Sequence, residues 1–283
     1  MPALAVFHST VRLEEKLILE AARAKGVEVR LRDIRGEVLD PRRFPLDFDV
    51  ALERSVSTVK GDYLIAFLEA LGAPVVNTAA VARACGDKFR TSLLLERAGV
   101  PTPRFALAFG PEQAREAVAR VGGYPVVVKP PLGSWGRLLA KINDDDALDA
   151  VLEHKEVLGT PPQKAFYVQE YVRKPGRDIR AFVFGREARC AIARESAHWI
   201  TNTARGGAAR NYPLTPELED LCARTAEAVG EGLLAIDLFE TPAGLAVNEV
   251  NHTMEFKNSE TPTGYPIATA VVDYALGRAR GRA

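Results

Sequence analysis

Cysteine is scarce in this chain, and histidine, methionine and tryptophan are scarce as well. The three cysteines, Cys85, Cys190 and Cys222, lie far apart, with no CxxC spacing and no even number that would build a disulfide framework. This pattern excludes a zinc ribbon and a disulfide-stapled secreted fold. It predicts reduced thiols in a cytoplasmic protein.

Net charge and long apolar runs are also absent. Lysine plus arginine and aspartate plus glutamate both number 37, so no overall charge attracts the chain to nucleic acid or to a membrane. No run approaches the roughly 18–20 apolar residues needed to span a bilayer. The first residues lack the basic segment and long apolar core of a signal peptide. We expect a soluble, globular, cytoplasmic protein with two or three packed units and no nucleic acid or membrane partner.

The order of segments predicts a chain that is part α/β and part α+β. Strand-like and helix-like segments alternate up to residue 77, which favours a small domain with a mostly parallel sheet. A compact α+β unit follows, and from Gly176 onward the pattern is that of antiparallel strands. We predict three units, at 1–85, 86–172 and 173–283.

One predicted hairpin, LLAIDLFETPAGLAVNEVN, carries the most informative polar residues. If Pro242–Gly244 forms a three-residue loop, Asp237 faces Glu249 across the strands, and Asn251 projects from the same face two residues later. Two carboxylates so close repel each other unless a cation or proton intervenes. Oxygen ligands of this kind suit Mg²⁺. The alternative is an exposed strand face with ordinary polar residues.

A lysine and a glycine-bearing loop follow another apolar strand. VVVK ends at Lys129 and leads into PPLGSWGR. Gly133 and Gly136 allow close backbone approach, and successive N–H groups with Ser134 can surround an anion. The spacing is neither that of a Walker A motif nor that of a Rossmann fingerprint. A surface turn is the alternative, although Trp135 at the tip argues against it.

Two arginines are predicted on adjacent strands. GRDIR places Asp178 and Arg180 on one strand face, and Arg194 lies on the partner strand in AIARE. Paired arginines suit bidentate binding of phosphate or carboxylate. The alternative is a set of surface ion pairs with Glu195 or Glu187.

The segments 169–172 and 196–210 are also candidates. QEYV ends an apolar strand before a Lys-Pro-Gly break, where free backbone groups can bind a purine edge. The long polar loop that follows Glu195 is rich in hydrogen-bond donors, as functional loops are. His198 lies in this loop without a carboxylate partner, which favours a packing or hydrogen-bonding role over that of a general base. No Ser/His/Asp or Cys/His arrangement is recognisable.

The order of these motifs resembles the ATP-grasp superfamily over essentially the whole chain. GRDIR, NTARGG and EVNHTMEFKNS are most similar to the RimK-like branch, and there to the LysX family. Members of that family join the α-amino group of α-aminoadipate to the C-terminal glutamate of LysW, a small acidic carrier protein, in lysine biosynthesis. The resemblance implies an ATP-grasp fold, in which 1–85 is a pre-ATP-grasp domain, 86–172 a lid domain and 173–283 the domain with the metal site.

The resemblance also implies ATP and Mg²⁺ as cofactors and an acyl phosphate intermediate. It assigns Mg²⁺ to Asp237, Glu249 and Asn251. It assigns ATP to Lys88, Lys129, Gly133, Ser134, Trp135, Gly136, Arg137, Gln169, Glu170, Tyr171, Val172, Lys174, Asp178, Arg180, Arg194 and Asn202. The candidates to stabilise the developing oxyanion are Arg180, Arg194 and Arg205.

Substrate residues follow from the same resemblance. Arg205, Asn258 and Ser259 are assigned to substrate, and the Asn-Ser pair matches the one that marks α-aminoadipate specificity. Relatives that act on glutamate carry Gly-Phe there, so a glutamate–carrier or glutamate–protein ligase is the alternative. A non-catalytic nucleotide-binding scaffold is an alternative of another class. We also expect a homo-oligomer, dimer or tetramer, and a basic patch near the site for the acidic carrier.

Overall fold

Three β-sheets meet around one cavity in the computed structural model, which describes residues 2–133, 138–201 and 207–280. Within these ranges no helix combines the length and apolar character that a membrane crossing requires. The expected combination of α/β and α+β architecture is confirmed.

The N-terminal sheet is parallel, with strand order β2-β1-β3-β4. Its strands are β1 (Ala3–His8), β2 (Glu28–Asp33), β3 (Val50–Arg54) and β4 (Val75–Val76). Its crossover helices are α1 (Leu13–Ala24) and α2 (Thr58–Ala70), and a 3₁₀ turn spans Ile34–Gly36. Every residue of β1 and β3 is buried. Central strands of a parallel sheet are covered on both faces, so the charged residues of β3 need internal partners.

The central sheet is antiparallel, with order β5-β8-β6-β7. Its strands are β5 (Phe105–Ala108), β6 (Val126–Lys129), β7 (Ala140–Ile142) and β8 (Phe166–Glu170), with α5 (Pro111–Arg120), α6 (Asp145–Leu158) and a 3₁₀ turn at Pro161–Lys164. Val126 and Val128 pack into the core beneath the helices, whereas Val127 and Lys129 line the cavity. Alternate side chains of β6 thus face the hydrophobic core and the cavity.

The C-terminal sheet is antiparallel, with order β11-β10-β9-β12-β13. Its strands are β9 (Arg177–Gly185), β10 (Glu187–Glu195), β11 (Ala208–Tyr212), β12 (Gly232–Thr241) and β13 (Gly244–Asn251). Its helices are α7 (Pro216–Val229), α8 (Glu260–Thr263) and α9 (Ile267–Arg280). The sequence predicted a loop through residue 210. The structure shortens it, because β11 begins at Ala208 and pairs with β10.

Helices from one stretch of chain cover the sheet of another. The helices α3 (Ala79–Gly86) and α4 (Lys88–Arg97) pack with α7 in the core of the C-terminal sheet, where Leu95 lies beside Leu221. Helix α9 packs on α1 and β3 of the N-terminal sheet. The hydrophobic cores therefore contain residues from more than one predicted unit. The division into units at 1–85, 86–172 and 173–283 stays a prediction.

The hairpin of β12 and β13 has the predicted pairing but a different loop. Only Pro242 and Ala243 lie between the strands, since Thr241 pairs with Gly244, so the predicted three-residue loop is wrong. A β-bulge at Asn248 adds one residue to β13 and shifts the register. Asp237 therefore pairs with Glu249 as expected.

Candidate active site

A single cavity opens where the three sheets meet, and it collects every predicted site residue of the described chain except Asn258 and Ser259. These lining residues are Lys88, Lys129, Gly133, Gln169, Glu170, Tyr171, Val172, Lys174, Asp178, Arg180, Arg194, Asp237, Glu249 and Asn251. Residues that are up to 163 positions apart in the sequence thus share one site.

A row of charged side chains crosses three strands of the C-terminal sheet. Glu249 on β13 pairs with Asp237 on β12, which pairs with Arg180 on β9. Arg180 donates to both Asp237 oxygens, at 2.7 and 2.9 Å, and Arg194 Nη2 lies 3.2 Å from Oδ2. Asp237 is 6 % exposed. The alternatives of an exposed polar face and of surface ion pairs with Glu195 or Glu187 are wrong for this row.

The two arginines decide the charge state of Asp237. Burial alone would raise the pKa of Asp237, but the charges and hydrogen bonds of Arg180 and Arg194 outweigh it and lower the pKa to about 2. Asp237 is therefore ionised at neutral pH. Each arginine is also held toward the cavity by this carboxylate.

A second buried cluster lies beside this row. Arg194 Nε donates to Asp178 Oδ1 at 2.6 Å, and Lys174 Nζ lies 3.5 Å from the other carboxylate oxygen. The Thr201 hydroxyl also donates to Asp178, and Lys174 donates to Thr201 at 2.7 Å. Burial lowers the pKa of Lys174, although Asp178 opposes that effect. Asp178 thus fixes two cations at the cavity wall.

Lys88 connects Gly133, in the segment after β6, to Glu249 on β13. Its ammonium group donates to the Gly133 carbonyl and lies 3.2 Å from Glu249 Oε1. Lys88 is buried at the start of α4, where Asp87 caps the helix by accepting from the Phe89 and Arg90 amides. Lys88 is therefore not an ordinary exposed lysine.

Lys129 is a deeply buried cation of the site. It is 3 % exposed, and its Nζ donates to Gln169 Oε1 at 2.9 Å and lies 5.1 Å from the centre of the Tyr167 ring. Desolvation lowers the pKa of Lys129 to about 8, with Glu249 opposing the effect and Lys88 adding to it. An anion brought into the cavity relieves this penalty, which favours phosphate binding here.

Apolar side chains also line the cavity and suit a flat ring. They include Val127, Leu139, Tyr171, Val172 and Phe239. The amides of Glu170 and Tyr171 are already used, because they donate to the carbonyls of Arg104 and Pro125. The purine edge expected at QEYV therefore depends on the Val172 amide and on carbonyl groups.

Three oxygen-bearing side chains at one end of the row fit magnesium. Asp237, Glu249 and Asn251 all line the cavity and offer two carboxylates and one amide oxygen. Within the described ranges, no cluster of three histidine, cysteine, aspartate or glutamate residues could hold a metal. Carboxylate and amide oxygens are ligands that suit a hard cation such as Mg²⁺, which also binds phosphate oxygens. The Asn251 amide nitrogen points to the Ala235 carbonyl at 3.5 Å.

Some predicted residues do not join this group. Asn258 is exposed and Ser259 is buried, and neither lines the cavity. His198 accepts a hydrogen bond from the Ile200 amide at 3.0 Å, which agrees with a hydrogen-bonding role. The remaining candidates, Ser134, Trp135, Gly136, Arg137, Asn202 and Arg205, lie outside the described residues.

The structure adds residues that the sequence reasoning missed. The N-terminal unit and the segment after β13 supply one whole end of the cavity, with Arg12, Glu53, Ser55, Thr58, His252 and Glu255. The available signal was the pair Glu53-Arg54 at the end of the apolar strand VALER. Ligands bind at the carboxyl ends of parallel strands, so charged residues there indicate a site.

Comparison with known proteins identifies the family. The model of the RimK-like ATP-grasp domain matches residues 85–275, and that of the LysX pre-ATP-grasp domain matches residues 4–84. The chain is 36 % identical to glutamate–LysW ligase ArgX from Sulfurisphaera tokodaii, covering 93 % of this chain and 94 % of that one. It is 35 % identical to α-aminoadipate–LysW ligase LysX from Saccharolobus solfataricus, covering 93 % and 97 %.

Solved structures agree with the fold. A RimK domain ATP-grasp protein from Sphaerobacter thermophilus superposes with a TM-score of 0.83 at 31 % identity, covering 97 % of this chain and all of that one. The ATP-grasp ligase PsnB, solved with a minimal precursor, Mg and ADP, gives a TM-score of 0.72 at 20 % identity, covering 98 % of each chain. The second likeness supports the fold alone. The chain therefore belongs to the RimK-like ATP-grasp family and is an ADP-forming carboxylate–amine ligase that uses ATP and Mg²⁺.

Proposed function

We propose that this protein ligates α-aminoadipate to the C-terminal glutamate of a small acidic LysW-like carrier, through the side-chain carboxylate of that glutamate. The observation that carries the proposal is the identity of 33–36 % to LysW ligases over more than nine tenths of the chain, together with an intact charged row at the cavity. The sequence identity and the charged row both support a ligase site at this cavity. The product is an amide, and ADP and phosphate are released.

The charged row and its neighbours form a cluster that suits a Mg²⁺–ATP complex. Six lysines and arginines and six carboxylates line the described cavity as a whole, but five of these cations lie around only three of the carboxylates. The cations are Lys88, Lys129, Lys174, Arg180 and Arg194, and the carboxylates are Asp178, Asp237 and Glu249. Preorganised charge of this kind stabilises a phosphoryl group in transfer without reorganisation.

The residues of the row have separate roles in this proposal. Asp237, Glu249 and Asn251 would hold Mg²⁺, which neutralises charge on the phosphates during transfer. Arg180 and Arg194 turn from Asp237 toward phosphate oxygens and toward the oxyanion that develops when the amine attacks the acyl phosphate. Arg205 is proposed for the same role. Losing one such donor commonly costs ~10²–10³ in rate.

The lid keeps water from the acyl phosphate. Lys88 already joins the Gly133 carbonyl to Glu249, so the start of the loop at 133–137 is anchored at the metal side of the cavity. We propose that this loop covers the phosphates, with its remaining residues and Asn202 as further ATP contacts. An enclosed site prevents hydrolysis of the reactive intermediate.

The choice between α-aminoadipate and glutamate depends on the Asn258-Ser259 pair. Overall identity does not decide it, because an ArgX and a LysX relative match at 36 % and 35 %. The pair favours α-aminoadipate, since the glutamate-specific relatives carry Gly-Phe there. Ser259 is buried, and its backbone carbonyl accepts a hydrogen bond from the Thr263 hydroxyl at 2.6 Å. Since neither Asn258 nor Ser259 lines the cavity, the pair acts through the position of the segment after β13.

The decisive experiment supplies Mg²⁺, ATP, the carrier and one amino acid at a time, and measures ADP together with the mass of the carrier. We expect ADP only with the carrier present, and a carrier heavier by α-aminoadipate less one water. A heavier carrier with glutamate alone would favour the glutamate alternative. No ADP under any condition would favour a nucleotide-binding scaffold.

Carrier binding has its own test. An acidic carrier needs local basic groups near the site, so its KM should rise with salt concentration while the KM for ATP changes less. A carrier KM that is insensitive to salt would contradict the basic patch. We further propose a cytoplasmic homo-oligomer, dimer or tetramer, which sedimentation of the purified protein measures.

A further inference from the structure

The end of the cavity that the N-terminal unit forms contains a carboxylate without a counter-charge. Six carboxylates line the cavity within the described chain, and five of them make an ion pair with an arginine or lysine. Glu53 makes none among the described residues, although it is only 5 % exposed. An unpaired buried carboxylate is costly, which indicates that it has a ligand in the working protein.

The surroundings of Glu53 hold it in place but do not neutralise it. Its carboxylate accepts the Ser55 amide at 2.5 Å. A Cβ at position 61 would lie 3.0 Å from each carboxylate oxygen, so Gly61 of α2 leaves the room that the group occupies. The Ser55 hydroxyl is buried beside the carboxylate and acts on its pKa as a hydrogen-bond donor, but this hydroxyl is neutral. Glu53 thus has hydrogen-bond donors beside it and no cation.

Neighbouring cations are committed elsewhere. Arg54, the next residue on β3, points to the other side, where it donates to Glu15 at 2.9 Å and to the Met254 carbonyl at 2.8 Å. Arg12 donates to Glu15 and lies 3.0 Å from Glu255, and its guanidinium lines the same end of the cavity. None of these cations pairs with Glu53, so a ligand that brings a positive group to this end of the cavity supplies the missing counter-charge.

We propose that Glu53 binds the α-ammonium group of the amino acid substrate, an inference that rests on the proposed function. Glu53 accepts hydrogen bonds from the ammonium group, and the Ser55 hydroxyl lies beside it. This arrangement holds the nitrogen for the reaction: the ammonium group passes a proton to Glu53, the free amine attacks the acyl phosphate, and phosphate leaves. Burial raises the pKa of Glu53, and a bound ammonium group favours its ionised form.

The test compares Glu53→Gln with Glu14→Gln, a substitution at an equally buried glutamate of the same unit that does not line the cavity. Each variant is assayed for ADP release with the carrier and the amino acid. Each is also assayed with the carrier and hydroxylamine, a small nucleophile without a carboxylate that intercepts the acyl phosphate. The first assay needs the ammonium site and the second does not.

We expect Glu53→Gln to raise the amino acid KM by about 10- to 100-fold, the value for a lost charged hydrogen bond, and to leave turnover with hydroxylamine within about twofold of the wild type. Glu14→Gln should change neither. An unchanged amino acid KM in Glu53→Gln overturns the inference. An equal loss with both nucleophiles also overturns it, because a merely structural residue would affect both.

A second measurement uses the unaltered protein and so does not depend on folding of a variant. The dicarboxylate that lacks the α-amino group is tested as a competitor of the amino acid. We expect it to bind about 10-fold more weakly or worse. Equal binding overturns the ammonium site. If the wild type releases no ADP with the carrier and any amino acid, the proposed function fails instead, and the two failures are thereby distinguished.

Discussion

Replacing Lys129 by methionine should weaken nucleotide binding and stabilise the free protein at the same time. Lys129 is buried, and desolvation lowers its pKa from 10.5 to about 8. That difference corresponds to about 3 kcal/mol against the charged form at neutral pH. Methionine fills a similar volume without a charge.

The sign of the pH dependence follows from the same shift. Between pH 8 and 10.5 the unfolded chain binds more protons at Lys129 than the folded chain does, so this residue makes stability rise with pH across that window. Below pH 8 the lysine is charged in both states and the penalty is complete. Loss of the hydrogen bond to Gln169 and of the contact with the Tyr167 ring offsets about 1–2 kcal/mol of it. A net gain of about 1–2 kcal/mol remains at pH 7.

The assays are thermal unfolding without ligand and titration with Mg²⁺–ATP. We expect the unfolding midpoint of Lys129→Met to rise by a few degrees and the Kd for Mg²⁺–ATP to rise by roughly 10- to 100-fold, since a charged hydrogen bond to phosphate is lost. Lys60→Met, at an exposed position of α2, is the control and should change neither. A lower midpoint with unchanged nucleotide binding would refute the reasoning.

Three further substitutions test other parts of the site. Asp237→Asn should lower ADP formation at least ~100-fold and raise the Mg²⁺ concentration needed for half-maximal rate. An unchanged Mg²⁺ requirement would show that Asp237 is not a metal ligand. Arg54→Met should destabilise the fold by about 3–5 kcal/mol, because Glu15 loses a buried partner; an unchanged thermal midpoint would contradict this. Asn258→Gly combined with Ser259→Phe should raise kcat/KM for glutamate relative to kcat/KM for α-aminoadipate. A constant ratio would show that this pair does not determine specificity.

Local patterns in the sequence predicted those parts of the site that one strand or one hairpin creates. The two-residue period put Asp178 and Arg180 on one face and Lys129 at the cavity. The Asp237–Glu249 pair was predicted correctly although the predicted loop was one residue too long. The bulge at Asn248 adds one residue to β13 and so restores the predicted pairing. A bulge depends on packing against neighbouring strands, which a single sequence does not reveal.

Features that depend on contacts between distant segments were not predictable in the same way. The packing of α3 and α4 with α7 joins segments more than a hundred residues apart. The N-terminal end of the cavity was missed because a charged residue in a short strand resembles an ordinary edge residue until the sheet order is known. Glu53 lies on a central strand, between β1 and β4, and only that order makes its charge informative.

The central claim is that the charged row at the junction of the sheets makes an amide on a carrier protein at the expense of ATP. The most direct test is mass spectrometry of the carrier after incubation with enzyme, Mg²⁺, ATP and α-aminoadipate, with ADP measured in the same sample. We predict one ADP for each carrier molecule that gains the amino acid less one water, and neither product with Asp237→Asn. ADP formed without any change in carrier mass, or a modified carrier without ADP, would contradict the account.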